Sequence, residues 1–90
     1  MPVITDTVKV INKLGVHARP AALLVQRASK FSSKIEIEYD GTKINAKSIM
    51  GVMMLAAACG SKLTIIADGD DALESIEGIK ALIASKFDEE

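Results

Sequence analysis

The stretch Lys34-Ile35-Glu36-Ile37-Glu38-Tyr39, followed at once by Asp40-Gly41, restricts the fold more than any other part of the chain. Successive side chains of a strand point to opposite faces, so Ile35, Ile37 and Tyr39 share one side and Glu36 and Glu38 the other. That alternation needs a sheet buried on one face and wet on the other, which antiparallel sheets allow and parallel ones do not. The Asp-Gly pair favours the positive φ angles of a tight hairpin turn. Thr42 to Ala46 is therefore predicted to return as the partner strand.

The remaining segments extend this pattern. Thr7 to Ile11 sets Val8 and Val10 against Thr7 and Lys9, as a half-buried strand does. From Ala18 to Lys30, the positions of Ala21, Leu24, Val25 and Ala28 trace a helical stripe. Ser48 to Ala58 reads as a second helix, with Ser48 as its N-cap and Gly60 just past its end. Lys62 to Ala67 is a strand with Leu63, Ile65 and Ala67 inward. Asp68-Gly69-Asp70-Asp71 is a turn whose acids favour the start of the next helix, so a capping role is expected for the Asp70-Asp71 pair. The last helix is expected to present Leu73, Ile76, Ile79 or Lys80, Ile83 and Phe87 on one face. The order β-α-β-β-α-β-α, with a hairpin at its centre, predicts an α+β domain whose helices pack on one face of a mainly antiparallel sheet. With 90 residues the chain is one domain, residues 1–90, because neither half would retain enough core to fold.

Composition excludes several functions. A net charge of −1 offers no surplus of Lys and Arg for nucleic acid or an anionic membrane. Cys59 is the only cysteine, so no internal disulfide or cysteine-based metal site is expected, and the residue reads as a small buried hydrophobe near the second helix's end. No apolar run approaches the roughly 20 residues that span a bilayer. The N-terminus lacks the basic-then-apolar pattern of a secretory leader. A cytoplasmic protein without metal or cofactor is expected.

The chemistry concentrates at Gly15-Val16-His17-Ala18-Arg19-Pro20, where the first strand's loop becomes the first helix. His17 is the only histidine. The leading N–H groups of a helix have no partner within it, and together with the macrodipole they attract an anion. Pro20 has no N–H but sits in the first turn, where the missing donor costs little. Donation to an anion therefore falls to the amides of Ala18 and Arg19. The guanidinium of Arg19 suits phosphate oxygens, and an imidazole nitrogen has the lone pair to attack phosphorus. A histidine that merely caps a helix beside an exposed arginine fits the same spacing, and spacing alone leaves both readings open.

The segment Gly15-Val16-His17-Ala18-Arg19-Pro20-Ala21 resembles the active-site signature of HPr, the histidine-containing phosphocarrier family of the bacterial phosphoenolpyruvate-dependent phosphotransferase system. Asn45-Ala46-Lys47-Ser48-Ile49-Met50-Gly51-Val52-Met53 resembles the family's second motif, which surrounds a regulatory serine. Chain length, element order and the separation of the two motifs match as well. The resemblance implies an open-faced β-sandwich: a four-stranded antiparallel sheet with three helices on one face. It implies that Enzyme I, charged by phosphoenolpyruvate, phosphorylates His17 on Nδ1, that Arg19 helps hold and release the group, and that an EIIA-type domain accepts it. It further implies an HPr kinase/phosphorylase acting on Ser48.

As an N-cap, Ser48 needs no further role to justify it. A phosphate there would suit the helix start and place about −1.5 to −2 charges on a docking surface. Val52 with Leu55 or Ala56 reads as the core face of that helix, while Ile49, Met50 and Met53 project partly away from it. By resemblance, these three are expected to dock Enzyme I, EIIA domains and a transcription regulator; methionine adapts to several partners. A monomeric, stoichiometric carrier is the reading, not an enzyme with its own turnover. Two alternatives stand beside it: a regulatory binding module acting through Ser48 and the Met50/Met53 patch, and a small anion-binding domain. Ile11-Asn12-Lys13-Leu14-Gly15 and the tail Lys86-Phe87-Asp88-Glu89-Glu90 resemble the nitrogen-branch carrier, whereas Ser48 to Met53 resembles the sugar-transport one.

Overall fold

A computed structural model describes residues 3–88. The elements are β1 (Val3–Lys9), α1 (Ala18–Ala28), β2 (Lys34–Tyr39), β3 (Thr42–Asn45), α2 (Ile49–Met54), β4 (Lys62–Asp68) and α3 (Ala72–Ala84), with a final turn at Lys86–Asp88. The strands form one antiparallel sheet in the order β1-β4-β2-β3. Three helices cover one face of it, giving the open-faced β-sandwich.

The alternation in β2 sets the layers. Ile35 and Ile37 are buried, while Glu36 and Glu38 lie on the opposite, half-exposed side. Ile37 stands opposite Ile44 of β3 and Ile65 of β4, and Ile65 in turn opposite Asp6 of β1. This row runs across the whole inner face of the sheet. Its outermost member is polar, and Lys80 of α3 meets the Asp6 carboxylate at 2.7 Å. That hydrogen bond, with the Thr7 amide, holds the Asp6 carboxyl below its ordinary value. The hairpin turn is as the Asp-Gly pair predicts: Asp40 and Gly41 have φ of 53° and 80°, the combination that follows the twist of the flanking strands.

Several boundaries differ from the sequence reading. β1 begins at Val3, well before Thr7, because its pairing with β4 continues to Val3 opposite Asp68. α1 ends at Ala28, not Lys30. The returning strand ends at Asn45, one residue before Ala46. α2 is much shorter than Ser48 to Ala58. It closes at Met54, where Leu55 N–H bonds to the Val52 carbonyl and Ala56 enters the left-handed region at φ 50°. Residues 55–61 then run as irregular chain, burying Leu55 and Ala57 and leaving Cys59 exposed. The expectation that Cys59 is a buried hydrophobe is thus wrong, because Ala57 fills the interior position in this segment.

The apolar face of α3 holds Ile76, Ile79 and Ile83 as expected, but at its start Ala72 takes the interior place in Leu73's stead. Ala72, Ile76, Ile79, Leu82 and Ile83 are buried, whereas Leu73 is exposed. Phe87 is completely buried, but not as a continuation of that helix. The chain leaves α3 at Ala84, and Lys86, Phe87 and Asp88 take φ of 59°, 55° and 59°. Left-handed residues cost about 1–2 kcal/mol each, about 3–6 kcal/mol for the three, and burial of a whole aromatic ring supplies a gain of similar order. Glu89 and Glu90 of the sequence-predicted tail motif, like Met1 and Pro2, lie outside the described residues.

Asp71 occupies the N-cap position of α3 but does not cap it by its side chain. Its carboxylate instead accepts from the Ser33 hydroxyl, from the Ser32 amide at 2.9 Å and from the Ser33 amide at 2.9 Å. Those donors pull its pKa from 3.8 to about 2, the Ser33 hydroxyl contributing most. The expected capping role gives way to a tie between α3 and the residues entering β2.

Candidate functional site

α1 begins at Ala18, and His17 is its N-cap residue, with φ −92° and ψ −167°. The first intrahelical bond runs from Ala21 N–H to the His17 carbonyl at 2.9 Å. Ahead of it lie the amides of Ala18 and Arg19, while Pro20, buried, contributes no N–H. The imidazole is half-exposed and makes no capping hydrogen bond. Arg19 is exposed in the same first turn. A half-exposed imidazole and two leading amides thus lie at the positive end of one helix, with Arg19 in its first turn. Such a site favours a dianionic group on the ring.

The loop before this helix is fixed from behind. Val10 N–H bonds to the Ser61 carbonyl at 2.8 Å, Gly60 N–H to the Val10 carbonyl at 2.7 Å, and Val16 N–H to the Ala57 carbonyl at 2.8 Å. Asn12 is fully buried, and its side-chain amide donates to the Gly15 carbonyl at 2.7 Å. Gly15 has φ +71°, and a Cβ built there would lie 2.5 Å from the Ala57 oxygen and 2.8 Å from the Ala58 Cα. Only glycine lets the two backbones approach this closely. The histidine loop rests on residues 57–61, of which the sequence predicts 57 and 58 as the end of the second helix.

Ser48 caps α2 as expected, its Oγ accepting from the Gly51 amide at 3.1 Å. Beside it, the Lys47 amide donates to Asn45 Oδ1 at 2.8 Å and the Lys47 ammonium to the Phe31 carbonyl at 2.7 Å. α1 and α2 pack together, so the two motifs lie on neighbouring elements. On α2, Val52 is buried while Ile49, Met50 and Met53 are exposed, in keeping with the helical spacing; Leu55, just past the helix, completes the buried face, and Ala56 does not. Apolar exposure near the site extends beyond Ile49, Met50 and Met53. Met54 and Leu14 are each 72 % exposed. Leu14 had a sequence signal, an apolar residue between Asn12-Lys13 and Gly15 in an otherwise polar turn. Among the described residues, no group of three or more His, Cys, Asp or Glu is placed to hold a metal ion. No helix of the described residues is long and apolar enough to cross a membrane.

Comparison with known proteins gives a consistent picture. The family model described as the PTS HPr component phosphorylation site matches residues 4–85. The phosphocarrier protein HPr of Treponema pallidum (strain Nichols) is 52% identical over 87 residues, covering 97% of this chain and 99% of the relative. The HPr-like protein Crh of Halalkalibacterium halodurans is 54% identical over 76 residues, 84% of this chain and 90% of that protein. The crystal structure of HPr-C-His from Thermoanaerobacter tengcongensis superposes with a TM-score of 0.90 at 52% identity, covering 100% of this chain and 99% of the other.

Proposed function

The chain belongs to the HPr family of phosphotransferase-system phosphocarriers, and we propose that it takes a phosphoryl group from phospho-Enzyme I on His17 and passes it to an EIIA-type domain. The observation that carries this reading is the position of His17: the half-exposed N-cap residue at the positive end of α1, on a loop hydrogen-bonded to residues 57–61. In the transfer, the lone pair of Nδ1 attacks phosphorus, a new N–P bond forms, and the donor's bond to phosphorus breaks with its electrons returning to the donor. The amides of Ala18 and Arg19 and the Arg19 guanidinium receive the phosphoryl oxygens, compensating their charge. The reverse displacement delivers the group to the acceptor. Acting as a monomer in the cytoplasm, the chain is a stoichiometric reactant in the relay.

Ser48 is the proposed site of regulatory phosphorylation by an HPr kinase. Its hydroxyl is held at the start of α2, next to exposed Ile49 and Met50, where a phosphoserine would set negative charge on the surface that Met50 and Met53 present to partners. The similarity to Crh supports a second role in regulation, as a module recognised by a transcription regulator. Retention of His17 in this chain favours the carrier role first. Residues 11–15 point to a nitrogen-branch acceptor and the motif around Ser48 to a sugar-branch one, and either acceptor uses the same chemistry at His17.

Incubation with Enzyme I and labelled phosphoenolpyruvate tests the reading. Acid-labile label is expected in the parent chain and not in His17→Ala; label retained by the variant would sink the assignment. A parallel incubation with HPr kinase and ATP tests Ser48, where acid-stable label lost in Ser48→Ala is expected.

A further inference from the structure

The loop that carries His17 also holds a leucine in water. Leu14 is 72 % exposed, as exposed as Met50 and Met54. A lone exposed leucine means little by itself, but three observations give this one a role. The loop cannot turn it inward, because the neighbouring backbone is pinned by the Asn12 side chain, by the Val16–Ala57 hydrogen bond and by the contact of Gly15 with residues 57 and 58. Next, Leu14 lies three residues before His17, so their Cα atoms are at most about 10 Å apart; the tight turn closed by His17 N–H on the Gly15 carbonyl at 3.1 Å shortens that. A protein that exchanges a phosphoryl group with the imidazole must bring its reacting atom to about 3–3.5 Å. A standard interface buries about 800 Å² on each partner, a patch wider than that separation, so a surface seated over the imidazole reaches as far as Leu14. Finally, Gly15, next to Leu14, rests on residues 57 and 58, which follow exposed Met53 and Met54 by three to five positions along the chain.

We propose that Leu14 is a specificity-determining contact of the phosphoryl exchange, buried by an apolar pocket that this chain's own donor and acceptor carry beside the residue that gives or takes the group. The inference rests on the phosphocarrier reading. A partner with a polar surface at that place would have to desolvate it against the leucine and is selected against.

The test measures KM and kcat for phosphorylation by cognate phospho-Enzyme I, and for transfer to the cognate EIIA-type domain. It uses the parent chain, Leu14→Ser, Leu14→Met and, as a remote control, Leu73→Ser on α3. Full burial of a leucine corresponds to a factor of about 10–100 in binding. Leu14→Ser is therefore expected to raise KM at least about tenfold with kcat little changed, Leu14→Met to restore most of the loss, and Leu73→Ser to behave like the parent. The proposal is overturned if Leu14→Ser stays within about twofold of the parent with both partners, or if only kcat falls. A parent chain that takes no label at all would instead overturn the phosphocarrier reading and this inference with it. Thermal unfolding of Leu14→Ser at the parental temperature shows that the variant is folded.

Discussion

Replacing Gly15 by alanine puts a methyl group where the backbone of residues 57 and 58 already lies. Two costs follow. At φ +71° an L-residue is in the left-handed region, which costs about 1–2 kcal/mol. The new Cβ would also lie 2.5 Å from the Ala57 oxygen and 2.8 Å from the Ala58 Cα. Backbone on both sides leaves no flexible side chain to yield, and overpacking of this kind costs about 1–3 kcal/mol. If the loops part, the 2.8 Å bond from Val16 N–H to the Ala57 carbonyl goes as well, for about 1 kcal/mol. The sum is about 3–6 kcal/mol, a large part of the roughly 5–15 kcal/mol that holds a domain together. Gly41→Ala is the internal reference: its φ is +80°, but a Cβ there meets nothing within 4 Å, so it should lose only the conformational part, about 1–2 kcal/mol. Urea unfolding of the two variants, with the slopes checked for equality, gives the difference directly. A gap of about 2–4 kcal/mol is expected. If Gly15→Ala and Gly41→Ala agree within about 0.5 kcal/mol, the backbone contact does not hold the histidine loop. A displaced loop should also slow phosphorylation of His17 by about 100-fold, as misplacement of a reacting group by 1 Å can do.

Other consequences are more local. Ser48→Ala removes the acceptor for the Gly51 amide and should cost about 1 kcal/mol in urea unfolding, leaving phosphorylation of His17 by Enzyme I intact. Asp71 has a carboxyl lowered from 3.8 to about 2 in the folded chain, so its contribution is fully present above the unfolded value and is lost as pH falls through the folded one. The melting temperature should therefore fall between about pH 4 and pH 2. Asp71→Ala should melt lower at neutral pH and lose less over that acid range, and equal acid sensitivity of variant and parent would contradict the Ser32 and Ser33 tie.

The parts of this fold legible in the sequence are those governed by short-range rules. Alternation placed Ile35 and Ile37 inside, Asp-Gly placed the hairpin, and the stripe of Ala21, Leu24 and Ala28 placed α1. What escaped depends on contacts distant along the chain. Nothing near Asp71 announces that its partners are Ser32 and Ser33. Gly60 imitates the end of a helix that Ala56 has already ended, and the true function of residues 55–61, as a floor for Gly15, requires residues more than 40 positions away. Leu73 was drawn into the α3 stripe by its hydrophobicity, although Ala72 holds the interior place. At the candidate site, helix-end chemistry and motif point to His17, Arg19 and Ser48. The brace behind them was not, because it is made almost wholly of backbone.

The central claim is that His17 is the residue that carries the phosphoryl group. The most direct measurement is a ³¹P NMR spectrum of the chain charged by Enzyme I and phosphoenolpyruvate, taken before and after addition of an EIIA-type domain. A single phosphoramidate resonance on Nδ1 of His17, absent from His17→Ala and discharged by the acceptor, is the predicted result. A phosphoester resonance in its place, or a phosphoramidate that survives the His17→Ala substitution, would contradict the account.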